Sequence, residues 1–154
     1  MDRCKIAKEY HERGCNCAQS VLAAFGDLTH LSEGEALALA GGFGGGVGGC
    51  HEELCGAASG AVLVLGILSS RLGGDSQEIR RRTYAATKEF RKRFQDQFRF
   101  TRCGDLLSAR IGSENGTNGV RRLGVSQHCA VLVVSAVEIL EELLRESGTA
   151  AQGN

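Results

Sequence analysis

The sequence contains no proline and no tryptophan, and aromatic residues make up only 5% of its 154 positions. Without proline, and without a repeat of fixed period, the chain shows no sign of a Pro-rich linker or of a solenoid array. Its length suits one domain with a sizeable core. We therefore expect a single helical domain over residues 1–146, followed by a disordered tail over residues 147–154.

The chain also lacks a net charge, because its 18 basic and 18 acidic residues cancel. A strong global charge would have favoured nucleic acid or a membrane surface as a partner. Residues 78–102 are locally basic, with nine Arg and Lys against three Asp and Glu. A basic helix can follow phosphates, but a solvated face opposite a stripe of phenylalanines is the simpler interpretation. Nucleic-acid binding is therefore not expected.

No apolar run is long enough to span a bilayer, which requires about 20 residues. The longest runs, over residues 57–68 and 130–137, are predicted to be core helices, and no membrane insertion is expected. The N-terminal residues open a polar helix and not the apolar centre of a signal peptide. The expected location is therefore the reducing cytoplasm, where clustered cysteines are more often catalytic or metal-binding than structural disulfides.

Helical periods dominate the sequence, and no alternating strand pattern persists. The fold class is therefore predicted to be all-α, a bundle of about six to seven helices with a glycine-rich loop. Asn16 offers a cap, Ser32 with Glu35 matches a capping box, and Ser126 is expected to cap the last helix. The predicted helices run over residues 2–12, 17–25, 32–40, 52–72, 75–98 and 127–145, with a short turn near Cys103 and a loop over residues 112–124.

A dense glycine run over residues 41–49 precedes Cys50, His51 and Cys55. Glycine tolerates left-handed backbone and close approach, so something is expected to come near this loop. Cys55 is expected in the first turn of the next helix, together with Glu52 and Glu53. The unpaired N–H groups there would stabilise a Cys55 thiolate and lower its pKa. The run also fits GxGxxG, but no strand precedes it, so a dinucleotide site is not expected.

Seven cysteines are unusually many for an intracellular chain of this length. Four of them fall in or just before the first turn of four different predicted helices, so they could converge on one point: Cys17, Cys55, Cys103 and Cys129. Four sulfurs suit a disulfide pair, zinc or an iron–sulfur cluster. Their scattered spacing leaves a second interpretation open, that they are buried small hydrophobes. His51 and His128 adjoin cysteines and are interpreted as surface residues.

Four segments of the chain resemble the family of redox-active proteins that is named for four cysteines and a CGAxxG motif, the C_GCAxxG_C_C family. They are residues 16–22 (NCAQSVL), the motif itself at residues 55–60 (CGAASG), residues 103–107 (CGDLL) and residues 128–130 (HCA). The resemblance implies that Cys17, Cys55, Cys103 and Cys129 form the family's cysteine set, with a redox or redox-cofactor role. Cys4, Cys15 and Cys50 lie outside this set, and the last two are near enough in sequence to Cys17 and Cys55 to resolve a disulfide.

Two functions follow from these observations. The first is a redox protein that uses the four cysteines either catalytically in thiol–disulfide exchange, with Cys55 as the attacking thiolate, or as metal ligands of an iron–sulfur centre in electron transfer. It would act on an unidentified redox partner protein. The alternative is a structural or interaction protein in which the cysteines bind zinc or simply pack, with no redox chemistry. The long amphipathic helices are compatible with a homodimer.

Overall fold

A computed structural model describes residues 1–148 of the chain. That part is all-α, as predicted, and seven of its helices have seven residues or more. The only extended pairing described is a single bridge between Leu54 and Arg102. The helices are α1 (Arg3–Glu12), α2 (Cys17–Ala24), α3 (Gly26–Thr29), α4 (Glu33–Ala40), α5 (Gly56–Arg71), α6 (Ser76–Phe98), α7 (Cys103–Ala109), α8 (Asn118–Arg122) and α9 (His128–Glu146).

The centre of the bundle consists of α2, α5 and α9, which all contact one another. Every residue from Ala130 to Val137 is buried, and α5 buries its first six residues together with Val64, Leu65 and Leu68. Both long apolar runs are therefore core helices, as predicted. Around this centre, α1 packs on α2 and α9, α4 packs on α2, and α6 packs on α5 and α9. Within the described residues, no helix has both the length and the apolar character needed to cross a bilayer.

The long helix α6 has the two faces that its sequence predicts. Phe90, Phe94 and Phe98 are buried, with ring centroids 5.9 Å and 5.0 Å apart along the stripe. The opposite face is solvated and carries exposed ion pairs, such as Lys92 with Asp96. Arg93 at the edge of this face reaches Glu146 of α9 at 2.5 Å. Part of the local basic charge is thus offset within the chain.

Capping explains where most helices begin. The predicted cap at Asn16 is present and forms a capping box with Gln19, and the predicted capping box of Ser32 with Glu35 is also present. The predicted cap of α9 at Ser126 is wrong: the side chain of Gln127 accepts the hydrogen bond from the Ala130 N–H, at 2.7 Å. Gln127 takes this role because α9 begins at His128, so that Gln127, with its extended backbone, directly precedes the first turn.

Two boundaries differ from the prediction because of contacts from distant parts of the chain. The helix expected from residue 52 begins only at Gly56, since the carbonyl oxygens of His51 and Glu53 accept hydrogen bonds from the N–H groups of α7. The loop predicted over residues 112–124 contains α8. Its first turn is held by Glu138 of α9, which accepts from the Gly119 N–H at 2.6 Å.

The C-terminal end is described only in part. Ser147 ends α9 as its C-cap, and Gly148 follows with a positive φ of 75°. The rest of the predicted disordered tail, residues 149–154, lies outside the described residues. The division of the chain into one domain and a tail stays a prediction.

Candidate thiol site

The four cysteines predicted to converge lie at the starts of four helices that meet at one end of the bundle. Cys17 is the first residue of α2, Cys55 is the N-cap of α5, Cys103 is the first residue of α7, and Cys129 is the second residue of α9. The four thiols lie close enough together for their charges to affect one another, and a charge on any of the other three raises the pKa of Cys17. The predicted convergence is therefore present.

Two glycines of the CGAxxG motif allow α2 and α5 to approach closely. A methyl group on Gly56 would lie 3.1 Å from Cβ of Cys17. One on Gly60, a helical turn later, would lie 2.7 Å from the carbonyl oxygen of Ala18 and 2.9 Å from Cβ of Val21. Neither position has room for a side chain without movement of α2. The motif therefore brings Cys17 and Cys55 to the same place by removing bulk between their helices.

Cys17 and Cys129 form a hydrogen-bonded thiol pair across α2 and α9. The Cys17 thiol donates to the Cys129 sulfur, which is the largest effect on both groups. This hydrogen bond holds the pKa of Cys129 down to about 7, below the 9.0 of an ordinary thiol, despite partial burial. The same hydrogen bond raises the pKa of Cys17 well above the ordinary value. The pair thus holds one thiolate and one neutral thiol in contact near neutral pH.

Gln127 supports the Cys129 thiolate, and the sequence interpretation missed it. Its amide oxygen caps α9, and its side chain also hydrogen-bonds to the Cys129 sulfur, which further lowers the pKa of that thiol. Since the oxygen is occupied by the Ala130 N–H, the amide N–H group is the one that donates to the sulfur. The sequence did contain a signal for this role, because a polar side chain two positions before a cysteine at a helix start can reach the sulfur of that cysteine.

Cys55 does not have the lowered pKa that was predicted for it. The N–H groups of Ala57 and Ala58 favour its thiolate, but Cys55 is only 3% exposed, and burial outweighs them and raises its pKa to about 12. The Cys55 N–H is bonded to the Thr101 carbonyl at 2.8 Å, which fixes the residue below the surface. Cys55 is therefore a neutral thiol in this site, and its expected role as the attacking thiolate has no support from its environment.

Cys103 lies against the glycine-rich loop. A methyl group on Gly46, whose φ is 70°, would lie 2.6 Å from Cβ of Cys103. The Cys103 N–H donates to the Glu53 carbonyl at 2.9 Å, and the Gly104 N–H donates to the His51 carbonyl at 2.7 Å. The close approach expected of the glycine run is thus an approach to the start of α7. Burial and the charges of Cys129 and Cys50 raise the pKa of Cys103.

The three cysteines outside the family set differ in their surroundings. Cys50 is exposed, and its thiol donates to the Gly46 carbonyl at 2.9 Å, so it lies beside Cys103 and not beside Cys55, its neighbour in sequence. Cys4 is 3% exposed in the core, with its pKa raised to about 12 mainly by burial. The Cys15 N–H is bonded to the Tyr10 carbonyl at the end of α1.

The two histidines next to cysteines do not face the thiols through any described hydrogen bond. His51 is exposed, as predicted for a surface residue. His128 is half-buried and hydrogen-bonds to the backbone of Ile111, while burial lowers its pKa. It therefore fastens the start of α9 to the segment after α7.

The predicted metal ligands, Cys17, Cys55, Cys103 and Cys129, share this end of the bundle. However, across residues 1–148, no three side chains of His, Cys, Asp or Glu are placed as they stand to hold a metal ion. All seven cysteines are present as thiols. Iron–sulfur and zinc binding stay predictions.

A comparison with protein-family models matches residues 15–143 to one described as "Putative redox-active protein (C_GCAxxG_C_C)". The match covers the four helix starts that carry the thiol site and extends nearly to the end of α9. No curated protein and no solved structure matches the chain.

Proposed function

The chain belongs to the C_GCAxxG_C_C family of redox-active proteins, and from that membership and the geometry of its thiols we propose that it works by thiol–disulfide exchange between Cys17 and Cys129. The observation that carries this proposal is the approach of the Cys17 and Cys129 thiols at the starts of α2 and α9, where their interaction raises the pKa of one and lowers that of the other. One member of the pair is prepared as a thiolate and the other as a thiol in contact with it, which is the arrangement that an attacking and a resolving cysteine require.

The exchange balances with a disulfide as the oxidant. The Cys129 thiolate attacks one sulfur of the disulfide, forms a mixed disulfide and releases the other sulfur as a thiolate. Cys17 then gives up its proton to the released substrate thiolate and attacks the Cys129 sulfur, which forms the Cys17–Cys129 disulfide and releases the second substrate thiolate. The substrate gains two electrons and the pair loses two; the reverse sequence oxidises a dithiol.

The other two cysteines of the set have different roles in this proposal. Cys55 stays protonated because of its burial, so it fills the base of the site without competing for the disulfide. Cys103 adjoins Cys129 and is half-buried, which places it between the pair and the glycine-rich loop.

Oxidation by glutathione disulfide tests the proposal. Wild-type protein should form an intramolecular Cys17–Cys129 disulfide, detected by peptide mass spectrometry after alkylation of the remaining thiols. Cys129→Ser should abolish this disulfide, whereas Cys15→Ser, which replaces a half-buried cysteine outside the site, should form it as the wild type does. Oxidation of wild type that leaves Cys17 and Cys129 as thiols would overturn the proposal.

Metal analysis provides an independent test, on protein purified without oxygen. Iron and sulfide in stoichiometric amounts, lost in Cys17→Ser, would replace thiol exchange by electron transfer through a cluster. Tight zinc without any redox change would favour the structural alternative. Metal-free protein that cycles between dithiol and disulfide is the result expected here.

A further inference from the structure

We propose that Cys50, which lies outside the family's cysteine set, is the residue at which a peptide disulfide first reacts, and that Cys103 relays the disulfide from Cys50 to the Cys17–Cys129 pair. This inference rests on the proposed function and adds to it an entry point and an order of reaction. It also gives the glycine-rich loop a role, which is to hold Cys50 beside Cys103.

Access distinguishes Cys50 from the other thiols. All seven cysteines lie within the described residues, and among them Cys50 alone is exposed, while Cys17, Cys103 and Cys129 are half-buried and Cys55 is buried. In thiol–disulfide exchange, the attacking sulfur must approach the disulfide along its S–S axis, so access limits the reaction of a bulky substrate. A peptide disulfide therefore meets Cys50 before it meets the pair.

The loop holds Cys50 beside Cys103. The Cys50 thiol donates to the Gly46 carbonyl at 2.9 Å, and Gly46 is the residue whose missing side chain makes room for Cys103. On the other side of Cys50, the His51 carbonyl accepts from the Gly104 N–H, next to Cys103. Two separate contacts thus fasten the chain on either side of Cys50 to the start of α7. The charge of Cys50 also acts on Cys103, as expected for neighbouring sulfurs.

The N–H of Glu52 donates to the Cys50 sulfur at 3.4 Å. The sulfur therefore has one donor and one acceptor from the loop backbone, and a left-handed backbone at Gly45, Gly46, Gly48 and Gly49 shapes the loop around it. Val47, whose carbonyl accepts from the Cys50 N–H, is 41% exposed and offers an apolar contact beside the sulfur. An exposed sulfur with an apolar side chain beside it suits a peptide disulfide, of which glutathione disulfide is a small example.

The relay consists of four exchanges, and in each of them one S–S bond forms as another breaks. Cys50 attacks the peptide disulfide and releases one peptide thiolate; Cys103 attacks the Cys50 sulfur, forms the Cys50–Cys103 disulfide and releases the second. Cys129 then attacks Cys103 and returns Cys50 to a thiolate. Finally Cys17 attacks Cys129, which regenerates Cys103 and leaves the Cys17–Cys129 disulfide. Overall, one peptide disulfide becomes two thiols and one internal dithiol becomes a disulfide.

Two substitutions test the relay with glutathione disulfide as the probe. Cys50→Ser should slow formation of the Cys17–Cys129 disulfide by about tenfold or more, because the substrate must then reach a half-buried sulfur, while the final amount of disulfide is unchanged. Cys103→Ser should instead accumulate a mixed disulfide between Cys50 and glutathione, identified by peptide mass spectrometry, while the pair is oxidised only by the slow direct route.

A matched pair of loop variants tests whether the placement of the glycine-rich loop against Cys103 affects the reaction when no cysteine is changed. Gly46→Ala and Gly48→Ala both strain a left-handed backbone, at φ 70° and 62°, but only the first introduces a methyl group against Cys103. With every cysteine intact, Gly46→Ala should therefore slow the reaction more than Gly48→Ala, which has open space around it. A wild-type oxidation rate in Cys50→Ser, or a first mixed disulfide at any other cysteine of Cys103→Ser, would overturn the relay. Failure of wild type to form the Cys17–Cys129 disulfide would instead overturn the proposed function itself.

Discussion

At the scale of single residues, the reactivity of this site depends on which sulfur receives hydrogen bonds and which is only buried. Cys129 and Cys55 both lie at helix starts, yet the pKa of Cys129 falls to about 7 and that of Cys55 rises to about 12. Cys129 has a thiol and an amide as donors. Cys55 has two backbone N–H groups, but its desolvation is the larger effect. A helix start by itself therefore does not make a reactive cysteine.

Gln127→Glu isolates the amide donor. The carboxylate can still accept from the Ala130 N–H and keep the cap, but it loses the N–H that donates to Cys129 and adds a like charge. The pKa of Cys129 should rise by about one unit or more. The midpoint of the pH dependence of Cys129 alkylation, near 7 in the wild type, should move up accordingly.

Peptide mass spectrometry reports the alkylation of each cysteine separately. Cys15 in the same sample is therefore an internal control, because its alkylation should not respond to the substitution. An unchanged midpoint for Cys129 would mean that Gln127 contributes only its cap. Equal thermal stability of the two proteins would show that the cap is retained.

At the scale of helices, the packing of α2 on α5 decides whether the thiols meet. Gly60 faces the backbone of Ala18, one residue after Cys17, at a distance too short for any side chain. Gly66, in the same helix, is different: a methyl group there would meet only Cγ2 of Thr83, at 4.0 Å. The two glycines therefore have opposite expected responses to the same substitution.

Gly60→Ala should destabilise the protein by about 1–3 kcal/mol, since α2 must move away to accept the methyl group. Gly66→Ala should be neutral or stabilising by up to about 1 kcal/mol, because alanine favours a helix more than glycine does. Urea unfolding of both variants gives the comparison. Equal stabilities would contradict close packing at Gly60. A slower Cys17–Cys129 disulfide formation in folded Gly60→Ala would connect the packing to the chemistry.

At the scale of the whole molecule, buried thiols make stability depend on alkaline pH. Cys4 and Cys55 have pKa values raised to about 12 in the folded protein, from 9.0 for an ordinary thiol. Between pH 9 and 12 the unfolded chain loses these protons while the folded chain keeps them. The free energy of unfolding should therefore fall with rising pH in this window, by about 1 kcal/mol per pH unit for each thiol.

Urea unfolding at pH 8 and at pH 10.5 measures this effect. Cys4→Ala removes one of the two thiols, so the variant, although less stable at pH 8 because of the lost sulfur, should lose less stability between the two pH values than the wild type does. All other residues are the same in the two proteins, so their contributions cancel in the comparison. Parallel losses in the two proteins would show that folding does not change the pKa of Cys4 and would contradict its raised pKa.

Local sequence patterns determined much of the architecture. The capping residues Asn16 and Ser32, the phenylalanine stripe of α6 and the apolar runs of α5 and α9 predicted helices, their starts and their buried faces, because helix periods and caps depend on residues three or four positions apart. The same patterns placed four cysteines at helix starts, and the family resemblance selected those four as a set.

Only the tertiary structure decided which sulfur is reactive and which cysteines are neighbours. Cys129 receives its hydrogen bond from Cys17, which is more than a hundred residues away in sequence, and Cys55 is desolvated by helices from throughout the chain. Cys50 adjoins Cys103 and not the nearby Cys55, because backbone hydrogen bonds fasten its loop to α7. Burial and hydrogen-bond partners set a thiol's pKa and access, and both come from residues that are close only after folding.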